Sequence, residues 1–341
     1  ASDASSTGGG VTVSTRLTHA GCVASNCAVR GDIVEPADVT GVLTIGLFDG
    51  IGALRVAADA VGWHVLGHVS VEMSEAAQRV VESKYPQTIK VADVSEVDRA
   101  MVLEWASRFS QVGLVLIGAG PPCQGVSGLN ASKKGAPKDA RSSLFVHVSR
   151  IRELVRSCFP WAQVRSLMES VASMSAEDES VMSADFGEDP WSIDAVGLSL
   201  ARRPRLYWVD WELKEGDGAR LVKTQNGRAT ISLEADVQPN AFLLPGWRKV
   251  SGEPFPTFTT SRPRPSPGYK PAGLAQCTPT ELGRWRADQH RFPPYQYRDV
   301  FCVQDRLGNR RVPQIEEREV IMGFPRGYTM HCFAKAKQGT Q

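Results

Sequence analysis

Short apolar runs alternate with amphipathic stretches from Val42 to about Trp211, and this rhythm predicts the fold class. Val42–Phe48 reads as a buried strand, followed by glycines and a helix over Ala53–Val61. His64–Glu72 reads as a second strand with a helix from Ser74 to about Ser83, and Thr88–Ala92 as a short third strand with a helix over Asp98–Arg108. Val112–Ile117 is the fourth strand, Ser143–Cys158 a long helix and Val164–Glu169 the fifth strand, with Ser192–Leu198 and Arg205–Trp211 as final strands. Strands alternating with helices of this length predict an α/β fold with a parallel sheet covered on both faces. Beyond Trp211 the rhythm is lost. Residues 240–300 are rich in Pro, Arg and aromatics around Ser261-Arg-Pro-Arg-Pro-Ser-Pro-Gly268, which predicts a loop-rich insertion. Residues 1–40 begin Ser/Gly/Thr-rich without a sustained period and read as a flexible leader.

Composition narrows the class. No apolar run approaches the roughly 18 residues that a membrane-spanning helix needs, and no charged segment precedes an apolar core at the N-terminus. The seven cysteines are odd in number and scattered. Cys22 and Cys27 lie close together, but no second close pair completes a metal site, so no metal is expected and a reducing intracellular compartment fits best. The net charge of +2 hides an asymmetry: residues 1–212 hold 19 Lys/Arg against 25 Asp/Glu, residues 213–341 hold 20 against 12. The second half reads as a surface for a polyanion, with an ordinary mixed-charge surface as the alternative.

Candidate chemistry gathers where strands end, because open α/β sheets bind ligands at their carboxyl edges. Gly118-Ala-Gly-Pro-Pro-Cys-Gln-Gly-Val-Ser-Gly128 places a cysteine after two prolines, just beyond the fourth strand. The prolines fix φ on the approach and the glycines let the loop bend, so Cys123 is placed for chemistry rather than packing. Phe48-Asp-Gly-Ile-Gly-Ala-Leu54 joins the first strand to a helix N-terminus, where a ligand can approach the backbone closely. Glu72, ending the second strand, can hold two ribose hydroxyls. Asp93 with Val94 can bond and pack an adenine, and Phe48 offers the ring a face. A dinucleotide prefers three glycines for its pyrophosphate, whereas this turn carries Ala53 and Asp49, an acid that repels phosphate. A sulfonium nucleoside suits it better.

Taken in order, these segments resemble the DNA (cytosine-5)-methyltransferase family, from about Val42 to Thr329. Phe48-Asp-Gly-Ile-Gly52 resembles the first cofactor motif, Glu72 the second and Asp93 the third, while Pro122-Cys-Gln124 matches the nucleophile motif. Arg141-Ser-Ser-Leu-Phe145 resembles the next helix start, Met168-Glu-Ser-Val171 the family's Glu-Asn-Val, and Arg203-Pro-Arg205 the paired-arginine motif. Glu317-Arg-Glu-Val-Ile-Met-Gly-Phe-Pro325 resembles the element after target recognition. The Leu-Phe-Asp-Gly-Ile start and short recognition segment are similar to the animal de novo branch; Gln124 is closer to the bacterial and maintenance type. Two departures stand out. Ser170 replaces the usual Asn beside the acid, and the chain ends at Gln341 without the family's final Gly-Asn element.

The resemblance implies a Rossmann-like class I methyltransferase with a mixed, mostly parallel sheet and a small target-recognition insertion. It divides the chain into a leader (1–40), a catalytic domain (41–212), a target-recognition region (213–312) and a return to the catalytic domain (313–341). The cofactor is S-adenosylmethionine, held by Phe48, Asp49, Gly50, Ile51, Gly52, Glu72, Met73, Asp93, Val94, Pro122 and Leu144. Cys123 adds to C6 of a flipped cytosine, Glu169 bonds or protonates N3, and Arg203 and Arg205 hold Glu169 or the base's O2. Gln124, Ser127, Lys133, Lys134 and Lys138 face double-stranded DNA from a closing loop, with Arg262 and Arg264 in the recognition region; a merely solvated loop is the bland alternative for the lysines. The implied setting is the nucleus, and homo- or hetero-oligomers through the methyltransferase domain are allowed. Two other readings stay open: a tRNA cytosine-5 methyltransferase, against which stands the absence of that branch's Cys-Phe-Thr tripeptide, and a non-catalytic DNA-binding homologue, favoured by the two departures.

Overall fold

The computed structural model describes residues 30–31, 41–127, 135, 142–215, 219–223, 229–233, 237–258 and 273–330. These divide into two compact units, one drawn from residues 26–193 and 204–234, the other from 194–203 and 235–341. In the first unit β1 (Val42–Leu47), α1 (Ala53–Ala60), β2 (Val65–Val71), α2 (Glu75–Lys84), β3 (Ile89–Val91) and α3 (Arg99–Arg108) follow one another. Then come β4 (Leu114–Ala119), α4 (Val146–Cys158), β5 (Gln163–Val171), α5 (Ala176–Phe186), β6 (Trp191–Asp194), β7 (Pro204–Val209), β8 (Ala219–Lys223) and β9 (Ala229–Leu233).

β1 and β4 are buried at every position, as central strands covered on both faces must be. Helix starts follow local chemistry: Ser74, Asp98 and Ser175 each accept the backbone N–H three residues on, capping α2, α3 and α5. The nine strands lie in the order β8-β9-β6-β7-β5-β4-β1-β2-β3. β3, β2, β1, β4 and β5 run parallel, and β7 runs antiparallel to β5. This mixed, mostly parallel sheet with helices between its strands is the Rossmann-like architecture that the sequence predicts. Strand order reverses between β1 and β4, which puts the ligand crevice at their carboxyl ends.

Three features depart from the expected elements. α5 stands where no helix was expected. β6 ends at Asp194 and gives way to a 3₁₀ turn, Ala195–Gly197, rather than running to Leu198. The hairpin β8–β9 joins the main sheet through β6, so the first unit continues beyond the expected boundary at 212. Within the expected leader, Arg30–Gly31 pairs with Leu213–Lys214, and the leader's other residues lie outside those described.

The second unit holds α6 (Pro239–Phe242), β10 (Arg248–Lys249), α7 (Pro279–Ala287), β11 (Val303–Gln304), β12 (Arg310–Arg311) and α8 (Ile315–Ile321). Its core gathers Leu200, Phe242, Leu243, Phe255, Val303, Val320 and Ile321. Trp247 packs against that cluster under the Arg311 guanidinium, 3.8 Å away, and Trp285 donates its indole N–H to Phe292 O, so both are structural. No helix among the described residues is long and apolar enough to cross a membrane.

Candidate active site

The carboxyl ends of β1, β2 and β3 stand abreast because the register pairs Leu47 with Val71 and Val71 with Val91. The chain leaves β1 through a turn with three left-handed residues, Phe48 (φ 54°), Gly50 (φ 57°) and Gly52 (φ 84°). A phenylalanine there is uncommon and carries backbone strain, so neighbouring bonds must hold the bend. β2 supplies them. Glu72 accepts the Gly50 N–H at Oε2 (2.9 Å) and the Ser74 N–H at Oε1 (2.7 Å), while its own N–H donates to Val91 O (3.0 Å). Each oxygen keeps a second lone pair, which suits a pair of vicinal hydroxyls. Met73 beside it is 73 % exposed, an unusual setting for a large apolar side chain.

Asp93 Oδ1 accepts the Ser95 N–H at 2.8 Å, and this backbone bond in the first place holds the carboxyl below the usual range. Val94 is buried in the main core cluster. A fork from α4 braces the segment: Arg150 donates to Val94 O (2.9 Å) and Val97 O (2.7 Å). Leu144 is half-buried against the main core, just before α4.

Asp49 departs from its expected setting. Its carboxylate turns inward and is almost fully buried, accepting the Ser70 hydroxyl (2.6 Å) and meeting His68 Nε2 (3.0 Å). The acid therefore does not face a ligand across the turn, and the expected repulsion of phosphate cannot come from it. Gly46 makes the room, since a Cβ there would lie 2.0 Å from Asp49 Oδ1.

β4 delivers the cysteine segment. Ala119 pairs with Met168, so Gly120 comes level with Glu169. A Cβ on Gly120 would lie 3.9 Å from Glu169 Oε2 and 4.0 Å from Phe48 O, so the acid and the turn after β1 meet at this residue. Pro121 and Pro122 then lead to Cys123, at most about 11 Å of chain further on. Its carbonyl accepts the N–H groups of Val126 (3.1 Å) and Ser127 (2.9 Å) in a tight turn, and its side chain is half-buried. Gln124 is exposed. Lys133, Lys134, Lys138, Arg141, Arg262 and Arg264 lie outside the described residues.

Glu169 and Arg205 form an ion pair, Nε to Oε1 at 2.7 Å. Antiparallel pairing of Glu169 with Tyr207 and of Val171 with Arg205 puts the two side chains diagonally on one sheet face. Arg203 belongs to the second unit, where its N–H donates to Asp194 Oδ1 (2.7 Å), and Arg205, in the first unit, pairs with Glu169. Ser170, on the opposite face of β5, is buried with its hydroxyl unpartnered. Ser170→Ala is expected to leave stability unchanged or to raise it by about 1 kcal/mol; a denaturant midpoint that falls instead would mean the hydroxyl has a partner.

Sequence reasoning missed the inner half of the site. Thr44, His68 and Ser70 form a polar island behind the turn from Phe48 to Gly52, and the alternation of His68, Ser70 and Glu72 through β2 and just past its end was its signal.

Known proteins resemble parts of this chain. The family model for C-5 cytosine-specific DNA methylases matches residues 42–179. The chain is 31 % identical over 122 residues to DNA (cytosine-5)-methyltransferase DRM2 of Oryza sativa subsp. japonica, covering 34 % of this chain and 20 % of that protein. It is 30 % identical over 140 residues to the rice DRM1A enzyme, covering 40 % and 28 %, and 27 % identical over 126 residues to the Type II methyltransferase M.AquIA of Picosynechococcus, covering 36 % and 49 %. The matched part thus spans between a fifth and a half of these relatives. Among solved structures, Spodoptera frugiperda DNMT2 aligns over 86 % of this chain and 93 % of its own at 15 % identity and a TM-score of 0.44.

Proposed function

We propose that this chain, whose residues 42–179 carry the C-5 cytosine-specific DNA methylase domain, transfers a methyl group from S-adenosylmethionine to C5 of cytosine in DNA. The observation that carries the reading is the meeting at Gly120: the acid–arginine pair of β5 and β7 lies on one side, the cofactor turn on the other, and the cysteine segment starts between them.

The residues present fit the methyl donor. Glu72 already takes the Gly50 amide, so a phosphate at the turn would meet a carboxylate rather than an open N–H. A phosphate-free nucleoside meets no such conflict. Glu72 would hold the ribose hydroxyls, Asp93 the adenine amino group, and Phe48 with Met73 the faces of the ring. When bound, S-adenosylmethionine supplies an electrophilic methyl group.

The chain's own residues prepare the other reactant. C5 of cytosine is a poor nucleophile, and a thiolate from Cys123 adding to C6 makes it an enamine carbon. Glu169 bonds or protonates N3 as electron density arrives there, and Arg205 orients the carboxyl. Once C5 has been methylated, loss of its proton to a base and departure of the Cys123 thiolate restore the ring. C6 is closed off within a stacked duplex, so the base must be flipped at a cost of roughly a few kcal/mol.

DNA is the preferred substrate, and action on nuclear DNA is part of the reading. In the second unit Arg248, Gln304 and Arg310 stand side by side across β10, β11 and β12; Arg310 is also paired with Asp299 at 2.6 Å, and the row of polar groups around Arg248 supports binding of a phosphate backbone. Labelled methyl donor, offered with duplex DNA and with tRNA, tests the assignment. Label is expected in 5-methylcytosine of the DNA. Label in tRNA alone would establish the tRNA reading, and label in neither, with cofactor binding intact, the non-catalytic one.

A further inference from the structure

The cofactor turn is fastened to β2 from within. The Asp49 N–H donates to Val71 O at 3.2 Å, and the Gly50 N–H to Glu72 at 2.9 Å. Between these ties the Asp49 carboxylate reaches back over Gly46 into the sheet. One of its oxygens takes both the Ser70 hydroxyl, at 2.6 Å, and His68 Nε2, at 3.0 Å. His68 is held from its other side, with Nδ1 2.9 Å from the Thr44 hydroxyl, and the Tyr85 ring meets it edge-on. Thr44, His68 and Ser70 are at most 2 % exposed. None of them can touch a ligand above the turn.

Such an island is costly to bury in a layer of Val, Ile and Leu unless its members satisfy one another. What it secures is local. Phe48 and Gly50 flank Asp49 in left-handed backbone, and a non-glycine residue in that region relaxes unless its neighbours hold it. The carboxylate is anchored to β2 between those two residues, so it fixes the bend from below while Glu72 fixes it from above. The same bend sets where Phe48 and the Gly50 amide stand, and hence where Glu72 is held.

We propose that Ser70 and His68 position the methyl-donor site: acting through the Asp49 carboxylate, they hold the turn from Phe48 to Gly52 in its left-handed bend, and cofactor affinity depends on them although neither reaches the cofactor. The inference rests on the proposed function for the identity of the ligand, but the state of the turn can be read without any ligand.

A matched control lies in the same sheet. Ser166 is equally buried and donates to the Asp210 carboxylate at 2.7 Å, on β5 and away from the turn. Ser70→Ala and Ser166→Ala therefore remove the same kind of bond from two places. Calorimetric titration with S-adenosylhomocysteine should show affinity falling about tenfold or more in Ser70→Ala, staying within about twofold in Ser166→Ala, and largely restored in Ser70→Thr, while the thermal midpoints of the two alanine variants fall together. His68→Phe should behave like Ser70→Ala. Hydrogen exchange of the ligand-free chain should show the Gly50 and Gly52 amides opening faster in Ser70→Ala than in Ser166→Ala. Equal affinity and equal exchange in the two alanine variants would overturn the inference. If the unaltered chain binds no S-adenosylhomocysteine, the functional reading fails and the exchange comparison alone decides whether the island holds the turn.

Discussion

Cys123→Ser is expected to lower methyl transfer at least about a thousandfold, with the fold and cofactor binding intact. A serine hydroxyl at neutral pH has almost no anion to offer, whereas a thiol has an appreciable fraction and is the better nucleophile toward an electron-poor ring. The sharper readout is covalent. In duplex DNA carrying 5-fluorocytosine, the thiolate adds to C6 and the methyl group goes to C5, but the fluorine there leaves no proton to remove. The sulfur cannot depart, and a denaturation-resistant adduct accumulates. Cys123→Ser should abolish it. The other described cysteines make poor competitors: burial pushes the Cys302 thiol up to about 11 and raises Cys277 as well, while Cys158 lies in the main core. Cys277→Ser should therefore form the adduct as the parent does. An adduct surviving in Cys123→Ser would overturn the assignment of the nucleophile.

How much of this was legible in the sequence depended on whether burial left an apolar trace. β1 and β4 are apolar throughout, so their buried setting and the loops after them could be read directly. The helix α5 could not. Its buried positions are Asp178, Met182 and Phe186, four apart on one face, but an acid fills the first of them and erases the period. The strands β8 and β9 are short, close a sheet edge and alternate weakly, so a charge-rich segment concealed them. At the site, residue types gave away the groups we propose to face a ligand: Cys123, Glu169, Glu72 and Asp93. The direction in which a side chain points was not given away. Asp49 looked like an acid in the cofactor turn, yet a glycine three residues earlier lets it fold back into the sheet, and only tertiary packing discloses that. The arginines show the same limit. Arg203 and Arg205 stand on either side of Pro204 in sequence, and the register of β7 against β5 brings Arg205 to Glu169.

That ion pair carries the second large effect. Glu169→Gln is expected to reduce kcat by about 10²- to 10⁴-fold, the range for a positioned acid or base, while S-adenosylhomocysteine affinity stays within about twofold. The split follows from the proposed layout: the carboxyl lies beside Gly120 at the start of the cysteine segment, whereas the ribose and adenine groups would be held by Glu72 and Asp93, just past β2 and β3. Stability should hardly respond, because the pair is partly open to solvent and such pairs contribute roughly 0–1 kcal/mol. Arg205→Lys keeps the charge but loses the planar Nε–H that meets Oε1, so it should fall between the parent and Arg205→Ala. Glutamine also separates two roles for the acid. Its amide can donate a hydrogen bond to N3 but cannot give up a proton, so a loss near the lower end of the range marks hydrogen bonding as sufficient and a loss near the upper end marks proton transfer. A kcat within about threefold of the parent in Glu169→Gln would remove the acid from the mechanism. A parallel collapse of cofactor affinity would place it in the donor site instead.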